Sequence, residues 1–228
     1  IGGDSLALCR RLLQRDDTAW LVWGAADPDY AAGLLRALPA DLNFDRSRLV
    51  VPQQDIRRWL AREGDRYDMI IVNQPMPTSL QASRYCSESF YELLSHRLTD
   101  RGVVGVRVVG GENVMGPQLG RMGASQFYTM SRVFAELAVK PGDETWFVGA
   151  TAAGVVSEDP AELRRRFASL PDASAIYPVA AVSQLYPSDR VAWQRRQYEQ
   201  YIAADAGQLL STDEIGRASC RERVCHRV

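Results

Sequence analysis

The loop Asn73-Gln74-Pro75-Met76-Pro77-Thr78 holds the side chains whose position most favours chemistry. It follows Met69-Ile70-Ile71-Val72, an apolar, β-branched run too short for a helix, which reads as a buried strand. Pro75 and Pro77 forbid a continued ladder or a helix. Ligands in open α/β sheets bind outside the carboxyl ends of strands, so residues 73–78 mark the expected site. Asn73 carries an amide that donates and accepts but is no base at neutral pH, and Met76 is apolar. Gly2-Gly3-Asp4 stands directly before a helical pattern, where glycine lets a backbone approach a ligand and a helix start favours polar groups. Asp55 precedes a helix and serves equally as its cap.

These residues need elements to position them. Helical patterns cover 5–13, 29–38, 56–62 and 84–98, and strands cover 19–23, 48–51, 69–72 and 103–109. Strand and helix alternate, which predicts a largely parallel sheet. A turn is expected at 99–102. Further on, a long helix falls within 118–137, and Pro141-Gly142-Asp143 joins two strands into an antiparallel hairpin over about 138–150. Helices follow at 160–170 and 191–204. The glycines at the start look like the tail of a strand–glycine loop–helix unit.

The 228 residues carry a formal net charge of −1, so no overall field recruits nucleic acid or an anionic membrane. Of 27 basic residues only Lys140 is lysine, a bias that fits a GC-rich genome. No apolar run reaches the roughly 18 residues a spanning helix needs. Ile215-Gly216-Arg217-Ala218-Ser219-Cys220-Arg221-Glu222-Arg223-Val224 has no apolar period and resembles a translated sequencing adapter, so 214–228 is expected to be non-native and 1–213 the domain. Cys9 and Cys86 then remain, far apart, and predict neither a metal site nor a disulfide framework.

A parallel sheet ending in an antiparallel hairpin is the pattern of the S-adenosylmethionine-dependent methyltransferase-like fold, a Rossmann-like α/β architecture. A nearer resemblance lies in the motifs DIRRWL (55–60), YDMIIVNQPMPTSLQASRYCSESFYELLSHRLTDRGVV (67–104), GGEN (110–113), ASQFYTMSRVF (124–134) and KPGDETWF (140–147). The chain resembles the spermidine synthase family, the polyamine aminopropyltransferases. It is most similar to bacterial spermidine-synthase-like domains that are often fused to membrane segments. The similarity runs over about 2–213, and LSTDE (210–214) resembles the start of the family's next motif, so truncation at both ends is expected.

The resemblance implies aminopropyl transfer. An amine of putrescine attacks the carbon beside the sulfonium of decarboxylated S-adenosylmethionine, and methylthioadenosine leaves. The family places two acids after the central strand to hold the ammonium and take its proton. Here those catalytic positions are Asn73 and Met76, both replaced. On the adenosyl side the resemblance implies Gly2, Gly3, Asp4, Asp27, Asp55 and Ile56, with Ala25 where the family has a ribose-binding acid. On the substrate side it implies Gln81, Tyr85 and Arg107, the last where active relatives place glutamine. No metal and no required cofactor are expected; the ligands implied are decarboxylated S-adenosylmethionine or methylthioadenosine and a polyamine. A fused membrane domain, homo-oligomers in full-length relatives and a cytoplasmic location follow from the same resemblance.

Two other readings stand beside a weakened aminopropyltransferase. One is a non-catalytic domain that binds a nucleoside or polyamine, or scaffolds a membrane partner. The other is a methyltransferase, for which Asn73-Gln74-Pro75 echoes an Asn-Pro-Pro-aromatic loop, with Met76 where the aromatic would stand. Plainer roles are also expected: Asp68 in local bonding, Glu88 solvated, Tyr85 and Phe90 in the core, and Arg164-Arg165-Arg166 on a solvated helix face.

Overall fold

The computed structural model describes residues 1–2, 6–25, 27–38, 44–62, 64–74 and 80–213. The expectations for Gly3, Asp4 and Met76, and for the 214–228 tail, lie outside them. The chain divides into two compact units, one of Ile1–Asp65 with Ile71–Pro75, the other of Arg66–Ile70 with the remainder.

In the first unit, α1 (Leu6–Leu13), β1 (Leu21–Val22), α2 (Pro28–Ala37), β2 (Leu49–Val50) and α3 (Ile56–Leu60) alternate as expected. The strands β1 and β2 pair in parallel, Leu21 with Leu49 and Val22 with Val50. Cys9, Trp23 and Ala31 form the core, with Leu6, Leu21, Ala25, Leu34, Leu35, Leu49 and Val51 packed against it. Ile1 extends the parallel pattern. Its amine donates to the Ile71 carbonyl at 2.6 Å, and its carbonyl accepts from the Asn73 N–H at 2.8 Å, as a residue paired in parallel with Val72 does. Gly2 N–H then donates to the Gly24 carbonyl.

In the second unit a four-stranded sheet has the order β3-β4-β6-β5, where β3 is Tyr67–Val72, β4 Leu98–Val109, β5 Glu136–Lys140 and β6 Glu144–Ala150. The expected hairpin is present: β5 and β6 are antiparallel with Val139 opposite Phe147, and β6 also runs antiparallel to β4 with Val106 opposite Phe147. Three boundaries differ from expectation. The helix expected over 84–98 is instead α4 (Leu80–Ser83), a 3₁₀ turn over Arg84–Cys86, and α5 (Glu88–His96). Ser87 starts α5 anew, its hydroxyl capping Phe90 N–H. The turn expected at 99–102 lies within β4, where Thr99 Oγ1 bonds Asp68 and Tyr67 N–H reaches the Arg97 carbonyl. The long helix expected within 118–137 is α6 (Pro117–Ser131), and the hairpin strand expected from about 138 starts at Glu136, because Glu136 and Leu137 pair with Ala150 and Gly149. Strand pairing has overridden local helix propensity there.

Helices α7 (Pro160–Ala168), α8 (Ala173–Ile176) and α9 (Ser188–Leu209) complete the chain, with a non-helical Asp205 inside α9. The α9 helix lies along α6, and Tyr198 stacks on Phe127 at 5.7 Å and meets Phe147 edge-on at 5.5 Å. Phe147, Met130 and Tyr198 are fully buried. Gln194 donates to both Thr145 Oγ1 (2.5 Å) and Tyr198 Oη (2.8 Å), which ties these three buried side chains together.

Burial of the Tyr198 phenol pushes its pKa up to about 12, against weaker lowering by the Gln194 and Thr145 bonds. Between pH 10 and 12 the unfolded phenol has lost its proton while the folded one keeps it. Stability therefore falls as pH rises through that window, by about 3 kcal/mol in total, and is unaffected by this group below it. Urea melts across that range should show the loss in the parent, and Tyr198→Phe should flatten it.

Candidate functional site

The carboxyl ends of β1 and β3 meet at Gly2. Gly2 takes φ +108°, a conformation that favours glycine, and a Cβ there would stand 2.5 Å from the Asn73 carbonyl oxygen. Its carbonyl lies 3.5 Å from Trp23 Nε1. Asn73 is thereby fixed at its backbone by Ile1. Its side-chain Oδ1 is buried and has no hydrogen-bond partner among the described residues. A buried acceptor left unmatched costs about 1–3 kcal/mol, which makes this amide oxygen the polar atom of the strand end most in need of a partner. Burial of the Ile1 amine, partly opposed by the field of Cys9, lowers its pKa to about 6, and burial raises the Cys9 thiol to about 11.

The two aspartates serve as helix caps. Asp27 Oδ1 accepts from Asp29 and Tyr30 N–H at 3.0 and 3.1 Å, and Asp55 Oδ1 accepts from Arg57 and Arg58 N–H at 3.0 and 3.3 Å. Capping takes one oxygen of each carboxylate and orients it. A carboxylate offers about four acceptor positions, so the cap role is compatible with a ligand role. Ile56 is buried, and a Cβ on Gly24 would meet its Cδ1 at 2.5 Å. That close packing sets α3 against the end of β1. Ala25 is half-buried against the apolar cluster of this unit.

In the second unit Gln81 lies in α4, and half-buried Tyr85 meets Phe90 edge-on at 5.3 Å. Arg107, on β4, pairs with Glu144 at 3.2 Å. Glu88 pairs with Arg132 at 3.2 Å, and Asp68 accepts from the Thr99 hydroxyl, a side-chain partner on β4. Of the expected residues, then, the structure brings Gly2 against Asn73, and Ile56 against Gly24 at the β1 end. Among the described residues no three His, Cys, Asp or Glu side chains converge as a metal set.

Two residues in the second unit escaped the sequence reading. Arg190 donates to the Glu112 carbonyl and to Asn113 Oδ1, and Asp143 accepts from Glu112 N–H at 3.0 Å. Together they hold the Gly110-Gly111-Glu112-Asn113 loop at the carboxyl end of β4. The Pro-Gly-Asp turn was a usable signal for Asp143, since Asp in turns bonds nearby backbone. Arg190 gave none.

Comparison with known proteins shows what the chain is similar to. The chain is 33% identical over 108 residues to polyamine aminopropyltransferase 2 and to polyamine aminopropyltransferase 1 of Ralstonia nicotianae. The match covers 45% of this chain and 21% and 20% of those proteins, so the chain spans about a fifth of the curated relatives it matches. Among solved structures, a spermidine synthase with the transition-state analogue AdoDATO superposes with TM-score 0.62 at 16% identity, over 87% of this chain and 68% of that one. The chain is spermidine synthase-like. Spermidine synthase from Thermotoga maritima gives 0.57 at 14% identity, over 87% and 66%. At such identities the superpositions establish the spermidine synthase-like fold. No family model matches the chain. No helix among the described residues is long and apolar enough to cross a membrane.

Proposed function

We propose that this spermidine synthase-like chain is a degenerate aminopropyltransferase domain, retaining an adenosyl-binding strand end but not the acids of amine transfer. The observation that carries the reading is Asn73. It sits at the carboxyl end of β3, beside the positive-φ Gly2, with a neutral Oδ1, unpartnered among the described residues, where the resemblance calls for a carboxylate. The transfer needs a C–N bond to form as the C–S bond breaks, with the ammonium proton passing to a base. An amide takes no proton at neutral pH and supplies no counter-charge for a diamine. Activity is therefore weak or lost. Decarboxylated S-adenosylmethionine or methylthioadenosine, and a polyamine, are the ligand classes of this reading, with a cytoplasmic setting and, in the full-length protein, a membrane domain and homo-oligomers.

The test is calorimetry with methylthioadenosine. Asp27 and Asp55 are in place, whereas Ala25 accepts no ribose hydroxyl bond. Loss of one charged hydrogen bond costs about 1.5–3 kcal/mol, so affinity should fall about tenfold to a hundredfold below that of a protein with the acid. Ala25→Glu should recover part of it. A submicromolar constant for the parent would contradict the reading, as would affinity unmoved by Asp55→Ala.

A further inference from the structure

The β5 strand ends the four-stranded sheet, with β6 on its inner side. Its outer edge offers the Leu137 carbonyl and the Val139 N–H, and both are taken by side chains. Arg195 Nη2 donates to the Leu137 carbonyl at 2.5 Å, and Glu158 Oε1 accepts from Val139 N–H at 2.5 Å. The two side chains are joined to each other, Arg195 Nε to both Glu158 oxygens at 3.0 Å and Nη2 to Oε1 at 2.8 Å. One donor and one acceptor facing positions 137 and 139 reproduce what one residue of a parallel neighbouring strand would present opposite Ala138. The Arg195 guanidinium is further held over the Phe127 ring, 5.4 Å from its centroid.

The next chain segment is tied beside this edge. Glu136 accepts from Gly154, Val155 and Val156 N–H at 2.6, 3.1 and 3.2 Å, and Arg166 donates to the Val155 and Gly154 carbonyls. Exposed edges of apolar strands template pairing with other chains, and proteins block them with charges or loops. The edge sequence Glu136-Leu137-Ala138-Val139-Lys140 is charge-complementary to itself. Two copies antiparallel about Ala138 would set Leu137 opposite Val139, and Glu136 of each copy opposite Lys140 of the other.

We propose that the Arg195–Glu158 pair guards the outer edge of β5 against a second copy of this chain, and that without it β5 pairs antiparallel with β5 of another molecule. The experiment compares the parent with Glu158→Ala, Arg195→Ala and Glu158→Gln by sedimentation velocity over a concentration series, with hydrogen exchange read at the Val139 amide. In dilute Glu158→Ala the Val139 amide should exchange about tenfold or more faster than in the parent. On concentration a species of doubled mass should appear and the Val139 amide should slow again. Glu158→Gln keeps an acceptor oxygen and should behave as the parent does. The proposal fails if Glu158→Ala does not associate beyond the parent. It also fails if association leaves Val139 exchange fast at every concentration, or if the Gln variant associates as the Ala variant does. If Glu158→Ala and Arg195→Ala both lose native circular dichroism, the pair builds the fold and does not merely guard an edge, which equally overturns it.

Discussion

Asn73→Asp with Met76→Asp and Ala25→Glu is expected to raise aminopropyl transfer by about 10²–10⁴ over the unaltered protein, assayed with putrescine and decarboxylated S-adenosylmethionine. The range is what a positioned base contributes to proton transfer, and attraction for the diammonium adds to it. The geometry sets conditions on the result. Position 73 is half-buried and its Oδ1 is enclosed without a partner among the described residues, so an aspartate there is desolvated and resists ionisation until a cation arrives. The gain should therefore appear as a lower KM for the diamine as well as a higher kcat. Ala25→Glu introduces a carboxylate beside the apolar cluster of Cys9, Trp23 and Ala31, and the triple variant should melt at a lower temperature than the double one. Turnover by the unaltered protein equal to that of the triple variant would refute the degenerate-site reading. Silence from both, in variants that remain folded and bind methylthioadenosine, would favour the non-catalytic alternative.

Much of the fold was legible because its signals are local. The strand at Met69–Val72 was marked by β-branching and by the prolines after it, and the hairpin by Pro141-Gly142-Asp143. Asp55 read as a cap and is one, and Asp27, which the resemblance alone had singled out, proves to be a cap as well. The errors came where pairing decides. Glu136 and Leu137 carry no sequence mark that the hairpin strand starts before residue 138; they join it because β6 is available to pair. Ser87 breaks the long apolar period after Cys86 by capping, a signal overlooked in favour of the periodicity. At the candidate site the residue types were readable, but their relation was not. That Gly2 lies against the Asn73 carbonyl, or that Ile1 joins the end of β3, depends on contacts about 70 residues apart in sequence. Arg190 and the Arg195–Glu158 pair were invisible for the same reason: charged residues are solvated by default, and only the fold shows which of them meet backbone groups far away in sequence.

Gly110→Ala should destabilise the chain by about 3 kcal/mol or more, lowering Tm by roughly 6–12 °C, while leaving methylthioadenosine affinity largely unaffected in the folded fraction. A Cβ at Gly110 would stand 2.1 Å from Thr145 Oγ1, 2.5 Å from the Gly142 carbonyl and 2.9 Å from Gln194 Nε2. One of these atoms is backbone in the hairpin turn, and the Gly110 N–H is itself bonded to the Asp143 carbonyl at 2.8 Å, so the turn cannot retreat without losing that bond. The other two belong to the buried Gln194–Thr145–Tyr198 set, in which Thr145 also donates to the Gly142 carbonyl at 2.7 Å. Moving Thr145 breaks its bonds to Gln194 and to the turn carbonyl, and each buried polar group that loses its partner costs about 1–3 kcal/mol. The clash can be relieved in one way that the structure makes testable. Thr145→Ala removes the nearest obstructing oxygen, so in the Gly110→Ala/Thr145→Ala double variant the two losses should sum to more than the measured total. Thermal melts of the four proteins give the coupling directly, and simple additivity would show that Gly110 is required for a reason other than this contact.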